Sequence, residues 1–278
     1  MIKYCLLFIL ILSACISQET KVNSHQSNIH YNLALELAQN ALYQNSLDEF
    51  AKAISLDPGN INAYRKKGLV YFGLRQYDEA EKLFVKAISL DPHNVQSHIN
   101  LGMVKYYKGD KAEAKNLWQK SVNFKSDDND SKALNNIANL YKEDKNYKKA
   151  IEYYQLAQNQ DSGNTMYLNN LADAFRLQGE LEQANSILKN SLKLNPLGIN
   201  TNFHIGMVYR DLKEYGKAME FFKNSLKVRP FPEAHFQIAQ IEFSMNNKAS
   251  ALKSIKSAIQ SSPKNLKYQN FRDIIAPS

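Results

Sequence analysis

The side chains able to do covalent, metal or acid–base chemistry are sparse in this chain and stand apart from one another. The cysteines are Cys5 and Cys15. Cys5 lies inside an apolar run and Cys15 ends it, so neither fits a metal site or a disulfide framework. The histidines, His25, His30, His93, His98, His204 and His235, have no cysteine at ligand spacing. No HExxH, GxxxxGK[ST] or GxSxG pattern occurs, so zinc-hydrolase, phosphate-loop and nucleophile-elbow chemistries lack their side chains. An acidic string from Ser126 to Ser131 invites calcium, but it lacks the glycine and the distal glutamate that a calcium loop needs. Its Ser and Asp residues suit the cap of a following helix instead. The expectation is a chain without a catalytic centre, with no metal and no cofactor.

The N-terminus bears on compartment. One early charge, Lys3, precedes an apolar run from Cys5 to Leu12. That run is too short for a membrane span and fits the apolar region of a secretory signal peptide. It ends in Leu12-Ser13-Ala14-Cys15, which resembles a bacterial lipobox: an aliphatic residue, two small residues, then cysteine. The resemblance implies cleavage before Cys15, acylation of that cysteine with palmitate-type chains, and membrane anchoring in the cell envelope. Several acyl chains give durable anchoring where one is marginal. Ile16 rather than an aspartate follows the cysteine, which points to the outer membrane. Residues 1–14 are thus expected to form a lipoprotein signal peptide and 15–26 a polar tether, with His25 and His30 solvated near its end. A net charge of +8 would alone permit a nucleic-acid partner; export argues against one.

The rest of the chain is organised by a repeating spacing. In 61–94, Tyr64, Gly68, Tyr71, Ala80, Phe84, Ala87 and Pro92 fall at steps of 4, 3, 9, 4, 3 and 5. The 4-3 steps are helical periods, so each trio lies along one helix face. The nine-residue step passes through Gly73 and a turn, giving two amphipathic helices folded on each other. Gly68 and Ala80 are small where helices must approach; Tyr71 and Phe84 fill the gap. This period and this small/large pattern resemble the tetratricopeptide repeat. The register continues at 27–60, with Ser46 in place of the second-helix alanine, and at 95–130, where Lys105 replaces an aromatic residue. After a two-residue displacement it resumes at 131–164, 165–198, 199–231 and 232–263, the last with Glu242 at the aromatic position. Residues 264–278, with Leu266, Phe271, Ile274 and Ile275, are expected to cap the stack. The expected fold is all-α: a right-handed superhelical solenoid of about seven helix-turn-helix units plus a C-terminal capping helix.

The resemblance implies that function lies on a concave face lined by positions 2, 5, 6, 9 and 12 of each first helix. Position 6 holds Asn32, Lys66, Asn100, Asn136, Asn170, His204 and Gln237. A side-chain amide both donates and accepts, so a series of them can hold successive peptide groups of an extended chain. Asn135, Asn139 and Asn169 lie nearby. Position 12 adds Lys142, Arg176 and Arg210, offset in part by Glu143, Asp173 and Asp211. Phe203 and Met207 offer apolar anchors, or simply pack against the second helices. The dicarboxylate clamp of chaperone-binding relatives is incomplete: Arg65, Asn100 and Lys132 match it, whereas Leu69 and Asn136 do not. The expected function is a non-enzymatic, lipid-anchored adaptor that binds an extended peptide or helix of an envelope protein. The alternative is a surface binder of anionic glycans or lipid headgroups.

Overall fold

A computed structural model describes residues 22–124 and 130–276. Cys15, the 1–14 leader, tether residues 15–21 and most of the acidic string lie outside them. The chain divides into two compact units, Met1–Ala133 and Leu134–Ser278. Among the described residues there are fifteen helices and no strand, an all-α helical-repeat solenoid.

The helices come in pairs: α1 (22–39) with α2 (Tyr43–Leu56), α3 (Ile61–Gly73) with α4 (Tyr77–Leu90), and α5 (Val95–Tyr107) with α6 (Lys111–Asn123). The series continues with α7 (Ser131–Glu143) and α8 (Tyr147–Gln160), α9 (Thr165–Gln178) and α10 (Leu181–Leu194), and α11 (Ile199–Asp211) and α12 (Tyr215–Ser225). It ends with α13 (Pro232–Ser244), α14 (Lys248–Ser261) and the lone α15 (Leu266–Ile275).

One backbone device closes every pair. The first helix ends in a residue of positive φ: Ala41, Arg75, Gly109, Lys145, Gly179, Lys213 and Asn246. The next amide then bonds back five residues, as in Gln76 N to Tyr71 O at 2.9 Å and Asn146 N to Tyr141 O at 2.8 Å. This is the Schellman termination, which satisfies carbonyls that the helix end leaves open. Only two of the seven positions are glycine, yet a left-handed residue with a Cβ costs about 1–2 kcal/mol. Lys145→Gly is therefore expected to raise stability by about 0.5–1 kcal/mol, the strain relieved less the extra freedom of glycine in the unfolded chain. Urea denaturation checks this, with Gly179→Ala as the variant of opposite sign.

The second device is at the repeat boundary. Asp57 and Asp91 accept from the amides of Gly59 and His93, both at 3.0 Å. Asn60 and Asn94 then cap the next helix through Ala63 N and Ser97 N. Pro92 is exposed beside the second of these turns.

Small residues meet large ones where the spacing put them. Ala80, Phe84 and Ala87 are fully buried and Tyr71 is half-buried against them. A Cβ on Gly68 would lie 2.7 Å from the Phe84 ring, so this crossing tolerates no side chain. Gly102 is covered in the same way by Trp118, whose indole donates to Ile99 O at 3.1 Å. The substitutions in the pattern are compensated locally. Ser46 is buried and donates to Ala34 O at 2.7 Å. Lys105 replaces ring packing with an ion pair to Glu81 of α4 at 2.6 Å. Glu242 accepts from Ser254 at 2.7 Å.

Both chain ends depart from expectation in detail. Helix α1 reaches back to residue 22, so 22–26 of the expected tether are helical. Ser27 is buried and donates to Ala53 O at 2.8 Å, and His30 contacts Glu49 at 2.5 Å instead of being solvated. At the other end, Tyr268 and Ile275 are buried and Phe271 packs on Phe236, while Leu266 and Ile274 stay exposed. Tyr268, which the apolar pattern passed over, does much of the covering.

Candidate functional site

The first helices of the second unit carry a continuous run of paired charges and amides. Lys142 on α7 reaches Asp173 on α9 at 3.2 Å. Asp173 also holds Arg176 at 2.9 Å, and Arg176 crosses to Asp211 on α11 at 2.6 Å. Asp211 pairs with Arg210 at 2.7 Å, and Arg210 donates to Gln237 on α13 at 2.5 Å. Three of these steps, Lys142–Asp173, Arg176–Asp211 and Arg210–Gln237, link one repeat to the next, and the other two lie within α9 and within α11. Three cations meet two carboxylates, so the run carries one net positive charge rather than three.

Burial makes these contacts matter. The side chains of Arg176 and Asp173 are 10% and 14% exposed, too little for water to screen them fully. Burial pushes the Asp173 carboxyl up, but Lys142 and Arg176 outweigh it and hold the group below its ordinary value. His204 stands 3.8 Å from Asp173, too far for a hydrogen bond, and its buried Nδ1 has no hydrogen-bond partner. Burial pushes its imidazole down to about 4, which keeps it neutral.

The amides sort into different roles. Asn170 donates to Asn135 at 2.8 Å, a bridge between repeats. Asn169 is buried and accepts from Ser191 at 2.9 Å and Thr201 at 3.2 Å. Asn139 accepts from the Tyr154 hydroxyl at 2.5 Å, and burial holds that phenol above its ordinary value. Asn135, Asn139 and Asn169 thus serve the packing of the stack rather than lining an open face. Asn136 is half-buried and makes no side-chain hydrogen bond among the described residues. Asn100 belongs to the first unit, where it is buried and its amide nitrogen has no partner. It takes no part in the second unit's network.

The apolar candidates also turn inward. Phe203 packs on Phe222 and Phe231 with ring centroids 5.6 and 5.1 Å apart, and Met207 joins the same cluster. Of the outlying histidines, His98 is buried against Phe124 with its Nε2 2.9 Å from Pro92 O. Among the described residues no group of three or more His, Cys, Asp or Glu side chains could hold a metal ion, and no helix is long and apolar enough to cross a membrane. Nothing in the spacing says that Asn169, Ser191 and Thr201 converge.

Tetratricopeptide-repeat family models match residues 61–94, and 27–60, 131–164, 199–231 and 232–265. These stretches make up more than half of the sequence. The chain belongs to the tetratricopeptide-repeat family. The two stretches between the matches, 95–130 and 165–198, hold helix pairs of the same kind, α5 with α6 and α9 with α10. A tetratricopeptide repeat protein from Parabacteroides merdae is similar in structure, with TM-score 0.71 and 13% identity over 90% of this chain and 99% of that one. The pilF protein of Pseudomonas aeruginosa gives 0.61 and 20% over 77% and 97%. A thermophilic repeat protein of Thermus thermophilus gives 0.57 and 24% over 65% and 98%. At these identities the likeness is one of fold. No curated protein sequence matches the chain. Tetratricopeptide-repeat proteins are typically protein-interaction scaffolds rather than enzymes.

Proposed function

We propose that this chain is a non-enzymatic scaffold, lipid-anchored through Cys15 in the cell envelope, that holds an extended segment or a helix of a partner protein against the first helices of its second unit. The observation that supports this is the run from Lys142 to Gln237. It ties α7, α9, α11 and α13 together through side chains on one series of helix positions. A surface whose side chains are already ordered spends less entropy on binding than a loose one. Asn136 sits at the start of this run with its donors and acceptor uncommitted. The reading as a binder of anionic glycans or headgroups draws no support from Lys142, Arg176 and Arg210, because Asp173 and Asp211 already neutralise most of their charge.

The discriminating variant is Asn136→Ala. Asn170→Ala is a poor probe, since it strips a partner from Asn135 and weakens the stack itself. Crosslinking in intact envelopes should give a partner adduct with wild type that falls several-fold with Asn136→Ala, at an unchanged melting temperature. An equal yield of adduct from both would sink the groove reading. Cys15→Ser should move the protein from the membrane to the soluble fraction; retention would sink the anchor separately.

A further inference from the structure

The boundary turns between the last repeats depart from those between earlier ones. Asp57, Asp91 and Asp161 open three boundary turns, and the corresponding residues after α10, α12 and α14 are Asn195, Arg229 and Ser262. Two positions on, Gly59, His93 and Gly163 give way to Leu197, Phe231 and Lys264. Three stretches, 193–200, 226–232 and 260–267, carry Lys193, Lys227, Arg229, Lys264 and Lys267 and no Asp or Glu. Glu233 follows the second of them, in the first turn of α13. The five cations are exposed, and Lys267 lies over the Phe236 ring at 4.6 Å. Leu194, Leu197, Val228 and Leu266 are exposed among them, Leu197 by 71% and Val228 by 55%. One exposed leucine needs no explanation. These stand together on one edge of the second unit. Leu197, Val228 and Arg229 line one cleft, and Val228 and Arg229 line a second with Lys227 and Ser261, so the two clefts join all three stretches.

We propose that this edge of the second unit rests on an anionic lipid surface, with Leu197 and Val228 entering the headgroup layer and Lys193, Lys227, Arg229 and Lys264 facing the lipid phosphates. Charge complementarity carries the choice: three successive turns supply cations without a carboxylate, and a bilayer rich in anionic lipid attracts such clusters. The apolar residues decide against a nucleic acid, whose phosphates would take the cations and leave Leu197 and Val228 in water. Composition decides against a protein partner, because protein interfaces favour aromatic residues and are depleted of lysine. Here four of the five cations are lysines and the exposed apolar residues are aliphatic. Aliphatic side chains flanked by lysines, whose stems lie along apolar surface while their heads stay in water, suit the bilayer interface. The surface uses none of the side chains in the run from Lys142 to Gln237, and it requires no acyl chain on Cys15.

A label at the edge itself separates this contact from any made by the N-terminal apolar run. The full chain carries Cys5→Ser and Cys15→Ser, so that neither acylation nor label attaches there, and a nitrobenzoxadiazole fluorophore on Leu197→Cys. A second protein carries the label on Met245→Cys, an exposed apolar position where α13 turns into α14. Vesicles of phosphatidylglycerol and phosphatidylcholine in equal parts should shift the emission at 197 to the blue and raise it several-fold, and should leave the label at 245 unchanged. Lys227→Gln with Arg229→Gln should weaken this partitioning about tenfold without moving the melting temperature, since both side chains are exposed. Val228→Ser should weaken it as well, and added salt should weaken it further. Equal responses at 197 and 245, an equal response on pure phosphatidylcholine, or partitioning that the double variant leaves intact would overturn the proposal. So would a shift at 197 given by envelope protein extract and not by vesicles, which would mark a protein contact. Because the labelled chains lack Cys15, none of these outcomes bears on the acyl anchor or on the crosslinked adduct.

Discussion

Asp173→Ala is expected to destabilise the second unit by about 3 kcal/mol, as removal of one partner from a buried ion pair does. The carboxylate stands between Lys142 and Arg176, so Lys142 loses this counter-charge and Arg176 one of its two. Arg176, with its side chain 10% exposed, keeps only Asp211. Asp211→Ala should cost less, because Asp211 is 25% exposed and Arg210 retains Gln237. The damage should be repairable: Asp173→Leu combined with Arg176→Met and Lys142→Met removes the charges as a set, and apolar replacements of a buried network are often neutral or stabilising. Urea denaturation measures the totals, and amide exchange in α9 reports whether the loss is local, since repeat stacks open unit by unit. A cost below about 1 kcal/mol for Asp173→Ala would show that water screens the network as it does surface pairs.

The same network explains where sequence reasoning succeeded and where it stopped. The helix pairs were legible because Gly68, Ala80 and Phe84 and their equivalents recur at fixed steps, and each position has one packing job whatever its neighbours are. The two-residue displacement before Ser131 was legible for the same reason. The closing residue of each turn was not: Arg75, Lys145 and Lys213 adopt a conformation that their residue types disfavour, and only the repeat context imposes it. The site was legible as a set of residues but not as a set of roles. Asn135, Asn136, Asn169 and Asn170 look alike in the chain. The fold makes Asn169 a buried acceptor and leaves Asn136 uncommitted, because one helix position turns the side chain from the second helix toward the open face. Lys142, Arg176 and Arg210 read as a basic series offset in part by Glu143, Asp173 and Asp211, but the spacing does not say which carboxylate meets which cation: positions 9 and 13 of the next repeat put Asp173 against Lys142 and Asp211 against Arg176. Pairings between repeats lie far apart in sequence, 24 residues for Lys105 with Glu81 and 35 for Arg176 with Asp211, and no local pattern encodes them.

His204 makes the second unit sensitive to acid at a pH above that at which Asp173 takes up its proton. It occupies the position held by Asn136 and Asn170 in the preceding repeats. Asp173 faces it from α9, with Lys142 and Arg176 behind, and of these only Asp173 favours the protonated form. Burial prevails, and the imidazole is neutral in the folded chain down to about pH 4. In the unfolded chain it takes up a proton near the ordinary value of about 6.5. The unfolded state therefore binds more protons in between, and stability falls as pH drops from about 6.5 to about 4, by about 2–3 kcal/mol from this residue. Asp173 acts lower: its depressed carboxyl contributes fully above the ordinary carboxylate range, and the contribution goes only as pH falls through its lowered value. His98 and His235 are also pushed down by burial and add to the wild-type slope, so the informative quantity is a difference. His204→Asn, which places there the residue its neighbours carry, should flatten the stability curve between pH 6.5 and 4 by about 2–3 kcal/mol relative to wild type, while changing stability at pH 7.5 by under about 1 kcal/mol. Urea midpoints across that pH range decide it. Parallel curves for the two proteins would mean that His204 already takes up its proton in the folded state, with Asp173 as its partner.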